Sequence, residues 1–235
     1  MTRRRWIADE VSESHAALVG EHADHLIRTL RARVGQEFDI ATGSAVRRGK
    51  VISIGDGRVD FELGEELGVH SSANITLLLS IFKFDRMEWA IEKCTELGVT
   101  KIVPVIARRT DAHLAAASAK RVERWRKIAL QAAEQSRRSA AAEITAPMRV
   151  QQVIKLGGAT RILLNESEQD DTLREVLSTH KGNDEILLAI GPEGGWAEDE
   201  LQCFLHEGWI SASLGSTILR VETAAIAATA ITIAE

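Results

Sequence analysis

Five apolar residues, Ile186 to Ile190, run without a break and stop at Gly191-Pro192-Glu193-Gly194-Gly195, after which acidic positions open an amphipathic segment. A short continuous apolar run bounded by turn residues reads as a buried strand, so the pattern predicts strand, tight loop and helix. The same rhythm returns at once. A short run ends at Leu214-Gly215, a turn follows, and Val221 to Ile233 reads as an Ala-rich helix. Two glycine-bearing loops are therefore expected at two strand ends, close together near the end of the chain.

Upstream, the residues from Ile75 onward alternate apolar runs with helical spacing. Ile75 to Ile81 is a run of the kind a buried parallel strand requires. Phe84, Met87, Ala90 or Ile91, Cys94 and Leu97 mark the core stripe of a helix that ends before Gly98, and Lys101 to Ala107 reads as the next strand. Further on, Lys120 to Arg138 reads as a helix with Trp125, Ile128, Ala132 and Gln135 on one face, Arg161 to Asn165 as a strand, and Leu173 to His180 as a helix. Alternating β and α predicts an α/β fold with a parallel sheet.

The first third has a different period. Arg4 to Ala8, Glu37 to Ala41, Val46 to Ile54 and Val59 to Leu63 read as short strands joined by Thr42-Gly43-Ser44 and Gly55-Asp56-Gly57, and Glu21 to Arg33 reads as a helix with Leu26, Leu30 and Val34 near one face. Short strands at this spacing suggest a small barrel or curled sheet. Glu65 to Ser72 is expected to connect the two regions.

With 235 residues, 45% of them apolar, the chain can bury a real core. A net charge of -5 argues against a protein that coats nucleic acid generally, but not against a local basic patch. Arg5, Arg28 and Arg31 in the first region, Lys83 and Arg86 at a strand-to-helix junction, and Arg124 and Arg138 on a basic helix are candidates for phosphate contact; solvated charge is the alternative for each. Trp6, Phe38 and Phe61 can stack on bases or fill the core. Cys94 and Cys203 have no metal-type spacing and are expected to be buried free thiols. His22 and His25 lack a third ligand of matching type, so no metal is expected. The N-terminus has no apolar stretch of the signal-peptide kind, and Ile75 to Phe82 and Ala224 to Ala234 fall short of the roughly 20 residues a spanning helix needs. A soluble, cytoplasmic protein is expected.

GxxxxGK[ST] is absent, which disfavours a nucleoside triphosphate site. Around the late loops, Ile190, Leu214, Ile218 and Leu219 can supply apolar walls, and Gly191, Gly194, Gly195 and Gly215 accessible backbone. Pro192 stiffens the turn. Leu164, at a predicted strand end, is either a pocket wall or core.

GPEGG at Gly191 to Gly195 followed by LGSTILRVETA at Leu214 to Ala224, together with HLIRTLR at His25 to Arg31, KFDRMEWAIEKCTELGV at Lys83 to Val99 and RWRKIALQAAEQSRR at Arg124 to Arg138, resembles the 16S (small-subunit) ribosomal RNA uridine-N3 methyltransferases of the knotted SPOUT superfamily. The resemblance implies a PUA-like small β-barrel domain over 1–70 that binds RNA. It implies a SPOUT domain over 71–235, with a parallel sheet and a C-terminal trefoil knot. S-adenosyl-L-methionine is the implied cofactor, held by Leu164, Ile190, Gly191, Pro192, Glu193, Gly194, Gly195, Leu214, Gly215, Ile218, Leu219 and Thr223. The implied substrate is 16S rRNA or the small ribosomal subunit, and the implied assembly is a homodimer.

Methylation at uracil N3 requires the imide proton to leave as the methyl arrives. Arg220 is the candidate cation for charge on the neighbouring carbonyl oxygens, and Glu193 and Glu222 are candidate bases; both carboxylates can instead orient backbone amides. Ser216-Thr217 stands where the family commonly has proline and arginine, Val221 where it has threonine, and Ala142 where it has proline. The alternatives are a methyltransferase acting on another RNA or atom, and a non-catalytic RNA-binding protein.

Overall fold

The computed structural model describes residues 5–43, 45–67, 74–158, 160–179 and 185–235. It divides into one unit of residues 1–71 and 133–141 and another of 72–132 and 142–235. The expected boundary at 70/71 lies outside the described residues.

In the first unit, strands β1 (Arg5–Ile7), β2 (Glu10–Val11), β3 (His15–Val19), β4 (Glu37–Ala41), β5 (Val46–Gly55) and β6 (Arg58–Leu67) form a six-stranded sheet in the order β1-β4-β5-β6-β3-β2. Its pairs are antiparallel except β1 with β4. Alternate residues of β5 and β6 turn inward, the period-2 signature of a sheet with one covered face. Trp6, Leu18, Leu26, Ile40, Val59 and Phe61 fill that core, with Phe38 and Phe61 edge to face at 6.2 Å. All three aromatic candidates for base stacking are thus buried. Gly49 is required by close approach, since a Cβ there would fall 2.3 Å from Ile40 Cγ1.

Two expectations for this unit are corrected, and strands β2 and β3 are additional to those expected. The helix predicted over Glu21 to Arg33 is a short α-helix, α1 (Glu21–Asp24), continued by a π-helical turn (His25–Thr29) in which the Leu30 amide reaches back to the His25 carbonyl. Arg31 then takes a φ of +52°, which ends any helix, and Val34 is exposed rather than on a buried face. The connection expected from Glu65 begins inside β6, which runs to Leu67. Strand β3 carries HAALV, a run without period-2 alternation, because its pairing with β6 and β2 buries Ala16, Ala17 and Leu18 consecutively.

The second unit is a wholly parallel sheet. Strands β7 (Ile75–Ser80), β8 (Lys101–Ile106), β9 (Glu143–Ile144), β10 (Met148–Arg149), β11 (Thr160–Leu164), β12 (Ile186–Ile190) and β13 (Ile210–Ala212) run β10-β8-β7-β12-β11-β13, with β9 also on β8. Every residue of β7 is buried, as a central strand covered on both faces demands. Helices α2 (Phe84–Leu97), α3 (Ala112–Ser118), α4 (Val122–Gln135), α5 (Val150–Val153), α6 (Leu173–Thr179), α7 (Glu198–His206) and α8 (Val221–Ala234) accompany it. The α/β class and parallel sheet agree with the expected alternation. The last residue of the helix predicted to end at His180 lies outside the described residues.

The α2 stripe buries Met87, Ala90, Ile91 and Cys94, but Leu97 is exposed at the helix end, where Gly98 takes a φ of +132°. Within α4 the covered face is Trp125, Ala129 and Ala132, and Gln135 is exposed. Ala142 is buried in the core. Helix α8 is apolar nearly all round; its Thr229 hydroxyl bonds the Ala225 carbonyl at 2.8 Å and faces Cys94 Sγ at 3.5 Å. Burial pushes the Cys94 thiol up to about 12. Cys203, expected to be buried, is exposed because it stands on the outer face of α7.

Candidate functional site

Because β12 inserts between β7 and β11, and β13 adds outside β11, the carboxyl ends of β11, β12 and β13 lie side by side. Such a point in an open parallel sheet is where ligands bind. A cavity of about 300 Å³ occupies it. Its walls are the segments 164–167, 190–192 and 195–196, the run 212–219, Val221 and Ala224 of α8, Glu198 and Leu201 of α7, and Arg109 from the loop after β8.

Of the residues expected to hold a cofactor, Leu164, Ile190, Gly191, Pro192, Gly195, Leu214, Gly215, Ile218 and Leu219 line this cavity. The two glycine loops therefore share one hollow. Glu193, Gly194 and Thr223 are not among its walls, and each is exposed.

The first loop is held from several directions. The Gly195 amide donates to the Pro192 carbonyl at 2.8 Å, and Gly195 takes a φ of +69°, a conformation other residues adopt only under strain. Trp196 packs on the backbone of Gly191, where an added Cβ would meet its Nε1 at 3.1 Å. That indole N–H donates to the Leu164 carbonyl at 3.2 Å and so ties the end of β11 to the loop after β12. Behind it Trp196, Phe204 and Trp209 meet edge to face, with successive centroids 5.0 Å apart.

The buried carboxylate of Glu200 fixes the start of α7. Its Oε2 accepts from the Ala197 amide at 3.0 Å, which closes the helix N-terminus, and its Oε1 accepts from the Arg108 amide at 2.8 Å. The loop after β8 is thereby strapped to the loop after β12. Arg108 adds an ion pair to Asp199 at 2.6 Å, and Arg109 Nη1 donates to the Gly194 carbonyl at 2.7 Å.

The remaining wall, 165–167, is a turn in which the Asn165 amide bonds the Ala212 carbonyl at 3.0 Å and Asn165 Oδ1 accepts from the Ser167 amide at 3.1 Å. Just beyond, a hydrogen bond from the Ser211 hydroxyl and then backbone amides hold the Glu168 carboxyl below its ordinary range.

The candidate catalytic residues lie beside the cavity rather than in its wall. Arg86, from the first turn of α2, stands between two of them, with Nη1 3.6 Å from Glu193 Oε1 and Nε 3.7 Å from Glu222 Oε1. Glu222 is buried, and its Oε2 has no hydrogen-bond partner among the described residues. Arg220 is exposed and precedes α8, where its carbonyl accepts from the Ala224 amide at 2.8 Å.

The candidate RNA contacts are scattered in their partners. Arg124 bonds Glu88 at 2.7 Å, Arg28 pairs with Asp24 at 3.5 Å, Arg5 donates to the Arg137 carbonyl, and Lys83 is exposed just before α2. Burial lowers Arg138 from its usual range. His22 Nδ1 faces both oxygens of Asp9, at 3.0 and 3.1 Å. Among the described residues no group of three His, Cys, Asp or Glu side chains is placed to hold a metal.

Sequence reasoning missed Arg109, Asn165, Glu166, Ser167, Trp196, Glu198, Leu201, Ala212, Ser213, Ser216, Thr217, Val221 and Ala224 as cavity residues. Trp196 was readable as the neighbour of the glycine loop. Arg109 left no local signal, because only the strand order brings the end of β8 to this place.

Comparison with known proteins gives a consistent picture. An RNA methyltransferase domain model matches residues 70–233. Ribosomal RNA small subunit methyltransferase E of Rickettsia conorii is 32% identical over 97% of this chain and 93% of its own length. Its namesake in Synechocystis is 31% identical over 92% of this chain and 72% of its own length. Among solved structures, a ribosomal RNA small subunit methyltransferase E from Neisseria gonorrhoeae bound to S-adenosyl methionine superposes with a TM-score of 0.83 at 28% identity. That match covers 97% of this chain and 96% of the other.

Proposed function

The chain belongs to the RNA methyltransferase family, among the ribosomal RNA small subunit methyltransferases E, and we propose that its cavity binds S-adenosyl-L-methionine for methylation of a uridine N3 in 16S rRNA. The observation that carries this reading is the hollow shared by three adjacent strand ends, because it combines apolar walls with exposed glycine backbone. A nucleoside carrying a sulfonium tail needs both. At about 300 Å³ the space lies at the lower end of the roughly 300–1,000 Å³ usual for small-molecule sites. Neither loop carries a lysine, so no ammonium stands where a sulfonium would sit.

When bound, the cofactor supplies an electron-poor methyl group on sulfur. The chain supplies the rest. Leu164, Ile190, Leu214, Ile218 and Leu219 cover the nucleoside, the backbone of Gly191, Pro192, Gly195 and Gly215 approaches it closely, and Gly194 stands at the rim. Glu193 and Thr223 complete the binding set from the rim. Arg220 faces the uracil and stabilises negative charge on a carbonyl oxygen as the imide proton leaves. Glu193 or Glu222 accepts that proton, and Arg86 holds both carboxylates toward one cation.

The insertion of β12 between β7 and β11, and the packing of α8 against the sheet, support a trefoil knot closed by the C-terminal segment. The N-terminal sheet, over residues 1–70, acts as a PUA-like RNA-binding barrel, and 71–235 as the SPOUT domain. Arg5, Arg28, Arg31, Lys83, Arg86, Arg124 and Arg138 contact the RNA. The enzyme works as a homodimer in the cytoplasm.

Two measurements test the reading. Calorimetry with S-adenosylmethionine should detect one site per chain. Methyl transfer to 16S rRNA from a strain lacking the endogenous enzyme should yield 3-methyluridine on nucleoside mass spectrometry. No binding, or a methyl group on a different atom, would refute it.

A further inference from the structure

We infer that Arg109 and Glu166 form a charged subsite for the amino-acid tail of the methyl donor. The inference rests on the proposed identity of the cavity's ligand and adds the part of the ligand that carries charge.

Both side chains line the cavity, and they flank the same point. A Cβ built on Gly195 would lie 2.9 Å from Glu166 Oε1 and 3.9 Å from Arg109 Nη1. With glycine at that position the space between the carboxylate and the guanidinium stays open. The two groups are opposite in charge, yet among the described residues they form no ion pair with each other. Glu166 has no hydrogen-bond or ion-pair partner there at all.

Each is delivered by a fixed backbone. Arg109 sits in a turn where the Thr110 amide bonds the Ala107 carbonyl at 3.1 Å and the preceding amide is held by buried Glu200. Its single bond to the Gly194 carbonyl uses one of the five guanidinium N–H groups, so the fork retains donors for a carboxylate. Glu166 rides on the turn fixed by Asn165, and an ionised carboxylate can only accept, as an ammonium requires.

An α-amino acid carries its ammonium and carboxylate on one carbon. A carboxylate and a guanidinium on either side of one glycine match that pair of charges, and such charge-assisted bonds are the stronger kind. The adenosine part of the donor carries no charge to match this pair; a carboxylate that instead accepted from the ribose hydroxyls would serve 5′-methylthioadenosine equally.

The test separates tail from nucleoside. S-Adenosylhomocysteine and 5′-methylthioadenosine share the nucleoside and the thioether, but only the first has the amino-acid tail. Calorimetry with the full-length wild type should find S-adenosylhomocysteine bound more tightly. In Arg109→Ala and Glu166→Ala, its affinity should fall about tenfold while that of 5′-methylthioadenosine stays within twofold. Arg109→Lys should recover part of the loss.

Equal weakening of both ligands would show that the side chains merely shape the loop, and would overturn the inference, as would variants that bind S-adenosylhomocysteine like wild type. Should Arg109→Ala fail to fold, Glu166→Ala and Arg109→Lys decide by the same ratio. A wild type that binds neither ligand would instead refute the proposed function.

Discussion

The two glycine loops that meet at the cavity are built in opposite ways. The loop from Gly191 to Gly195 is held by the Trp196 indole, by the Arg109 guanidinium and, through α7, by the buried Glu200 carboxylate. Among the described residues the loop after β13 is tied only at its ends. At one end the Ser213 amide bonds the Asp171 carbonyl at 2.9 Å and its own carbonyl accepts from Leu173 at 2.8 Å; at the other the Arg220 carbonyl starts α8. Between them Gly215 to Ile218 are exposed. One wall is therefore preorganised by the fold, whereas the other is free to follow what binds. Preorganisation lowers the ordering cost of binding, so the first loop should govern most of the affinity, and the second should add a smaller share on closing and govern what happens to the bound substrate.

The largest effect that would break this division is expected at Arg220. Arg220→Ala should leave cofactor affinity within a few-fold and cut turnover about 100-fold or more, the usual cost of losing one preorganised charge stabiliser. Calorimetry beside single-turnover kinetics measures both quantities. A variant with wild-type turnover would remove Arg220 from the chemistry, and one that fails to bind cofactor would move it into the first loop's role.

Next in size is Gly195→Ala. A left-handed alanine costs about 1–2 kcal/mol, equivalent to roughly a 5- to 30-fold loss of cofactor affinity if the loop must relax to avoid it. The clash with Glu166 Oε1 adds little, since that carboxylate is the far end of a flexible side chain. Gly194→Ala is the control. Its φ is not positive, and its Cβ would meet Arg109 only at 3.5 and 3.7 Å, so affinity should change less than twofold. Equal losses in the two variants would mean that backbone conformation does not set the first wall.

How much of this was legible in the sequence follows from the same contrast. Apolar runs broken at Gly191 and at Leu214-Gly215 announced two strand ends with open loops, and nine of the expected cofactor residues line one hollow. Local periodicity sufficed there because each loop is adjacent to its own strand. What holds the first loop could not be read, since Arg109 is 85 residues distant from Gly194 and the Arg108 amide 92 from Glu200. Glu200 looked only like part of an acidic helix start. In the N-terminal unit β3 escapes the pattern because Ala16 and Ala17, residues of weak strand preference, occupy its short run, and α1 is shorter than its pattern because nothing in its composition betrays a π-turn. The exposure of Cys203 depends on which face α7 turns outward, and the helix is too short for its apolar positions to decide that.

A smaller effect on affinity, with a comparable one on stability, is predicted for Trp196→Phe, which keeps most of the packing against Phe204 and removes one N–H. The buried Leu164 carbonyl then loses its donor at a strand end, at a cost of about 1–3 kcal/mol. Urea unfolding should report this as a lower midpoint with an unchanged slope. Cofactor affinity should fall with it, because the same bond joins two walls of the cavity. Stability lost without any change in affinity would detach the indole from the site.

The smallest effect, and the sharpest test of the second wall, is expected at Ile218. Its side chain is 82% exposed although it lines the cavity. Truncation to alanine removes little that the fold buries, so unfolding free energy should stay within about 0.5 kcal/mol of wild type. If the loop closes on the nucleoside, however, most of that apolar surface leaves water only when ligand is bound, at about 25 cal/mol per Å². Affinity for S-adenosylhomocysteine should then fall several-fold in a protein whose stability has not moved. The heat-capacity change of binding should become less negative at the same time, the mark of less apolar area buried. Unchanged affinity and heat capacity in Ile218→Ala would mean that this loop stays open around the ligand, and the nucleoside would have to be covered by the first wall alone.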